Sequence, residues 1–75
     1  MIREVPGAVV APAPGTITKI EINSGDKVEK GERIAVIEAM KIENYIVADK
    51  SGVIKEVMVS EGEGVRRGDP IVKIE

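Results

Sequence analysis

The chain contains the same turn-and-strand plan twice. Residues 9–38 read VVAPAPGTITKIEINSGDKVEKGERIAVIE and residues 46–75 read IVADKSGVIKEVMVSEGEGVRRGDPIVKIE, a gapless match at an offset of 37 with ten of 30 positions identical. Gly15 pairs with Gly52, Gly25 with Gly62 and Gly31 with Gly68. The apolar positions pair as well: Ile17/Ile54, Ile20/Val57, Ile22/Val59, Val28/Val65, Ile34/Ile71 and Ile37/Ile74. Paired glycines mark places where the backbone must turn through positive φ or approach a neighbour closely. A chain of 75 residues supports one small core at most. Two copies of one plan around one core predict two similar halves packed face to face about a pseudo-two-fold axis.

The residues that must fill this core favour strands. There are 11 Ile and 11 Val, no Leu, Phe or Trp, and a single aromatic, Tyr45. β-Branched side chains pack well on a pleated surface and are stiff in helices. Strands are predicted over 15–22 and 52–59, over 33–38 and 70–75, and over 42–48, with turns at Ser24-Gly25-Asp26 and Glu61-Gly62-Glu63. Val28 and Val65 each lie between two turn signals and are expected to plug the core from very short strands. The long strand spaces its apolar residues i, i+3, i+5 in both copies, whereas an unbroken strand alternates strictly. The same break in each half predicts a bulge or a strand that crosses between sheets. The fold class is therefore all-β, a flattened barrel or sandwich. Ala11-Pro12-Ala13-Pro14 aligns with Ala48-Asp49-Lys50-Ser51 and reads as a rigid internal turn. Residues 1–7 read as an N-terminal tail and 8–75 as the domain.

Composition excludes much chemistry. The chain has no Cys and no His, so disulfides, thiolate metal sites and the usual acid–base side chain are absent. Net charge is −2 with both signs interspersed, which offers no basic patch to nucleic acid or to an anionic membrane. No apolar run approaches the ~20 residues of a membrane span, and a cytoplasmic location is expected. Carboxylates are plentiful, but no nucleophile–base pair stands out. The domain is expected not to be an enzyme by itself.

One segment breaks the local rules. Between the repeats lies Ala39-Met40-Lys41-Ile42-Glu43-Asn44-Tyr45, where one strand must reverse into the next. Tight hairpins prefer Asn-Gly or another glycine pair, because their central residues often need φ > 0. Here the tip is Ala-Met-Lys-Ile. Local inconsistency of this kind is expected where function overrides stability. Lys41 is one of seven lysines, most of which serve as solvated charges. Its place at the junction of the halves, expected close to the pseudo-symmetry axis on a projecting tip, singles it out as a modified or recognised lysine. Both chain ends are expected at the opposite pole.

Glu38-Ala39-Met40-Lys41-Ile42-Glu43-Asn44 resembles the biotin attachment motif of the biotin carboxyl carrier domains of biotin-dependent carboxylases and decarboxylases. The resemblance extends over residues 8–75, through Pro14-Gly15, the Gly-Asp-x-Val-x-x-Gly from Gly25 to Gly31, and Asp49-Lys50-Ser51-Gly52. It implies a barrel-sandwich hybrid, biotin in amide linkage on Lys41, and Ala39 and Met40 as residues recognised by a biotin protein ligase. It also implies shuttling of carboxyl groups between a biotin carboxylase and a carboxyltransferase. Some members carry a thumb inserted in the first half only. That insertion would break the gapless offset, so no thumb is expected. The chain reads as a segment of a larger protein or as a small carrier subunit. A lipoyl domain has the same fold, but its lysine typically follows Asp, where Met40 stands here. An unmodified barrel-sandwich binding module is the third reading.

Overall fold

A computed structural model describes residues 7–75. It is all-β. The strands are β1 (Ala8–Val10), β2 (Gly15–Ile20), β3 (Lys27–Val28), β4 (Arg33–Ala39), β5 (Ile42–Val47), β6 (Gly52–Val57), β7 (Gly64–Val65) and β8 (Pro70–Ile74). They form two four-stranded antiparallel sheets, ordered β1-β8-β6-β3 and β5-β4-β2-β7. The molecule is flattened, with extents of 31 × 27 × 18 Å. Residues 7–75 run without an inserted thumb, and among them no helix is long and apolar enough to cross a membrane.

Adding 37 to a residue number exchanges the two sheets. β1 maps to β5, β2 to β6, β3 to β7 and β4 to β8, so the strand order of one sheet becomes that of the other. The registers follow: Ala8↔Lys73 corresponds to Val36↔Tyr45, and Ile17↔Ile37 to Ile54↔Ile74. The pseudo-two-fold symmetry is therefore present, but its form differs from the one expected. Each half supplies two strands to each sheet, so the halves interleave and do not stack as separate layers.

The core is made of repeat pairs. Ile17 and Ile54, Ile34 and Ile71, and Ile37 and Ile74 are among the most deeply buried side chains. Among the described residues no polar side chain is buried with them. Val28 and Val65 are buried from two-residue strands, as their spacing between turns implies. The irregular apolar spacing resolves into bulges. Register shifts between Ile17 and Lys19 against β4, and between Ile54 and Glu56 against β8. β2 and β6 stop two residues before the expected ends, yet Ile22 and Val59 remain buried beyond them.

Backbone bonds between the halves are duplicated. Gly25 N donates to Ile54 O at 2.7 Å and Gly62 N to Ile17 O at 2.6 Å. Gly25 and Gly62 hold φ of 95° and 90°, which L side chains rarely adopt. Gly15 and Gly52 serve differently. A Cβ at Gly15 would collide with the carbonyl oxygen of Glu38, and one at Gly52 would lie 2.5 Å from that of Glu75. Ala11 is buried, donates to Asp69 O and accepts from Gly68 N, so the Pro-containing stretch that follows it is tied into the domain. Of the expected tail, residues 1–6 lie outside the described residues. Gly7 O accepts from Ile74 N at 3.1 Å. β1 goes beyond the strands expected, being only three residues long. Its signal was its alignment with the end of β5.

Symmetry also locates the connector. The β4–β5 hairpin is exchanged with the end where β1 begins and β8 finishes. Lys41 therefore stands away from the pseudo-two-fold axis, contrary to the position expected near it. A point on the axis would map onto itself, whereas this end maps onto the one where the described chain starts and stops. By the same exchange the start of β1 and the end of β8 lie at the pole opposite Lys41, while residues 1–6 of the expected N-terminal end lie outside the described residues.

Candidate functional site

β4 and β5 pair at six positions, from Arg33↔Val47 to Ala39↔Ile42. Ile34, Ile37 and Ile46 anchor this ribbon in the core. Only Met40 and Lys41 remain to reverse the chain. They do so with φ of 52° and 66°, and they are the only described non-glycine residues at positive φ. Two central residues with φ > 0 define the hairpin turn whose twist matches that of its strands. Glycine is the usual solution, since a Cβ in this region costs roughly 1–2 kcal/mol per residue. Register on both sides imposes the conformation on two residues ill suited to it.

The tip is bare. Met40 is 95% exposed, Ile42 is 63% exposed, Lys41 is exposed and Ala39 is half-buried. The described residues give Lys41 no ion pair; the two formed are Arg33–Glu21 and Lys55–Glu75. Lys41 is thus presented to solvent at the hairpin tip. A surface hollow lined by Thr18, Arg33, Glu43 and Tyr45 runs along one side of the hairpin, others are lined by Ile20, Val57 and Glu61 and by Glu56, Val65 and Pro70, and none of these is lined by Met40 or Lys41. No group of three His, Cys, Asp or Glu among the described residues is placed to hold a metal ion.

Below the tip, Glu38 and Glu43 face each other across the ribbon, both exposed. Like charges directly opposite are mildly unfavourable in a sheet. The backbone carbonyl of Glu38 packs on Gly15 as that of Glu75 does on Gly52. Many other acids serve the turns. Asp26 Oδ2 accepts from Asn23 N, Glu63 Oε1 from Ser60 N, Glu32 Oε1 from Glu29 N and Asp69 Oδ2 from Arg66 N, at 2.8–3.1 Å.

At the base of the hairpin lies a cluster that sequence reasoning missed. The Arg33 guanidinium carbon sits 4.4 Å above the centroid of the Tyr45 ring, and Arg33 Nη2 donates to Glu21 Oε1 at 3.1 Å. Tyr45 is a strand residue of β5, and its outward face carries this arginine. Tyr45 pairs directly with Val36, which is buried outside the main core cluster. The equivalent positions in the other sheet are Pro70, Ala8 and Met58, so the repeat does not supply this brace twice. Its only advance signal was the isolation of Tyr45 as the one aromatic.

The Lys41 amine therefore stands at the apex of a two-stranded ribbon, with two exposed apolar side chains, Met40 and Ile42, flanking it. Such a tip is open to covalent modification and to being read by another protein.

The family model described as "Biotin-requiring enzyme" matches residues 7–74. The chain is 46% identical over 41 residues to the 2-oxoglutarate carboxylase large subunit of Hydrogenobacter thermophilus, covering 55% of this chain and 6% of that protein. It is 50% identical over 36 residues to the biotin carboxyl carrier protein of Streptococcus mutans, covering 48% of this chain and 28% of that one. The crystal structure of Kluyveromyces lactis urea carboxylase superposes with a TM-score of 0.87 at 31% identity, over all of this chain and 7% of that enzyme. The chain thus spans about a quarter or less of the length of these three proteins.

Proposed function

Because the chain belongs to the family of biotin-requiring enzymes and is a biotin carboxyl carrier domain, we propose that Lys41 is the residue that receives biotin. The observation that supports this is the Lys41 amine itself, exposed at the apex of the β4–β5 hairpin, at the end opposite the one where β1 begins and β8 finishes. The fit is direct: an amide linkage needs an accessible primary amine, and the tip offers one with no competing ion pair among the described residues.

The chain's own residues have limited and definite tasks. Lys41 Nζ supplies the nitrogen of the amide. Its lone pair forms the bond to the activated carboxyl carbon, and that activation falls to a biotin protein ligase. Ala39 and Met40 are the recognition residues in this proposal, small and apolar beside the amine. The β4–β5 ribbon holds the attachment point at a set distance from the core. Biotin, when bound, supplies a ureido ring that takes up and releases CO₂. Tethering replaces diffusion with a high effective concentration at each partner site.

The partners in this reading are the ligase, a biotin carboxylase and a carboxyltransferase, in a cytoplasmic enzyme whose ATP-dependent steps lie outside this chain. The domain itself is not catalytic. Co-expression with a biotin ligase tests the assignment by intact mass and streptavidin binding. One biotinyl group per chain is expected, lost in Lys41→Ala. Labelling that survives this substitution refutes the site.

A further inference from the structure

We infer that Met40 is a peroxide-sensitive modification site, and that its oxidation state controls transfer of biotin to Lys41. Reactivity of a thioether follows its access to the oxidant. Met40 is 95% exposed, and its side chain has no place in the core cluster. Met58 is half-buried, and its backbone is tied to Ile71 O at 2.8 Å. A large apolar side chain placed wholly in water contributes nothing to folding here. Its value lies in what it contacts when a partner covers the tip.

The chemistry is self-contained. Hydrogen peroxide delivers one oxygen atom to a sulfur lone pair. The O–O bond breaks, the S–O bond forms, sulfur loses two electrons and water leaves. The product keeps the length of the side chain but replaces an apolar thioether with a polar sulfoxide. Nothing in the fold is packed on Met40, so the domain tolerates the change. A ligase reaching Lys41 Nζ must cover the adjacent residue, and it would then have to desolvate the sulfoxide. An unpartnered polar group in an apolar contact slows transfer by about tenfold or more. Methionine sulfoxide is reducible by enzymes specific to it, which makes the change reversible.

The control of transfer rests on the proposal that Lys41 is the biotin site, and the test separates the two. The unmodified chain is treated with dilute hydrogen peroxide, the peroxide is removed with catalase, and peptides are mapped by mass spectrometry. Biotinylation by ligase, biotin and ATP is then followed by intact mass. Met40 is expected to gain one oxygen well before Met58, with an unchanged melting temperature, and labelling is expected to fall at least tenfold and return after methionine sulfoxide reductase. In Met40→Leu, the ratio of treated to untreated rates should be one. Equal oxidation of Met58, or undiminished labelling of chains oxidised at Met40, overturns the inference. So does a peroxide effect that persists in Met40→Leu. No labelling of untreated chain at Lys41 overturns the functional proposal and the control with it.

Discussion

Replacing Met40-Lys41 with Asn-Gly should stabilise the domain while removing its attachment point. Both residues hold positive φ, at 52° and 66°. Each L residue in that region costs about 1–2 kcal/mol, so the tip carries about 2–4 kcal/mol of conformational penalty. Asn tolerates the region and Gly is at home there. Against this, glycine loses about 0.5–1 kcal/mol more conformational entropy on folding. A net gain of about 1–2 kcal/mol is the expected result, because Asn recovers only part of its share. A chain of this size has a total stability of roughly 4–11 kcal/mol, so the change is a large fraction of the whole. It corresponds to a rise in melting temperature of about 5–10 °C. Circular dichroism in the strand region, with guanidinium added if the parent melts too high, measures it. Lys41→Ala is the control. It removes the charge but keeps a Cβ at positive φ, and should stay within about 0.5 kcal/mol of the parent. A rise below about 2 °C in the Asn-Gly variant would refute the reasoning. It would mean that pairing of β4 with β5 accommodates L residues at the tip without cost. The tip would then not be a place where function overrides stability.

The remaining expectations concern the supports of the hairpin and its reading by a ligase. Gly15→Ala places a methyl against the Glu38 carbonyl, and should lower the urea midpoint by the equivalent of about 1–3 kcal/mol, the usual cost of overpacking. Arg33→Ala removes a guanidinium from Tyr45 and from Glu21. Because Arg33 is half exposed, a loss of about 1 kcal/mol is expected, with a shift of the Tyr45 ring resonances that reports the lost stack directly. Met40→Asp should weaken biotinylation in a kinetic labelling assay while leaving the melting temperature nearly unchanged. Unchanged labelling would remove Met40 from the recognition residues.

The repeat was legible because its apolar and glycine positions are chemical requirements met twice. Ile17/Ile54, Ile34/Ile71 and Ile37/Ile74 had to be buried together, and Gly25/Gly62 had to turn. The bulges at Thr18 and Lys55 could be anticipated for the same reason, since a one-residue break in alternation is visible in spacing alone. The Arg33–Tyr45–Glu21 brace was not legible. Its members come from β4, β5 and the segment after β2, and nothing local marks them as neighbours.

By itself, then, the sequence determined that two equivalent halves share one aliphatic core, and that Lys41 lies on the link between them in a turn without glycine. Equivalence does not say which strands pair. Stacked halves and interleaved halves satisfy the same offset, and only tertiary pairing selected the interleaved sheets. That choice carried Lys41 away from the pseudo-two-fold axis and put the hairpin at the end opposite the one where β1 begins and β8 finishes. Tertiary pairing also forced Met40 and Lys41 to positive φ, because the register from Arg33↔Val47 to Ala39↔Ile42 left two residues for the reversal.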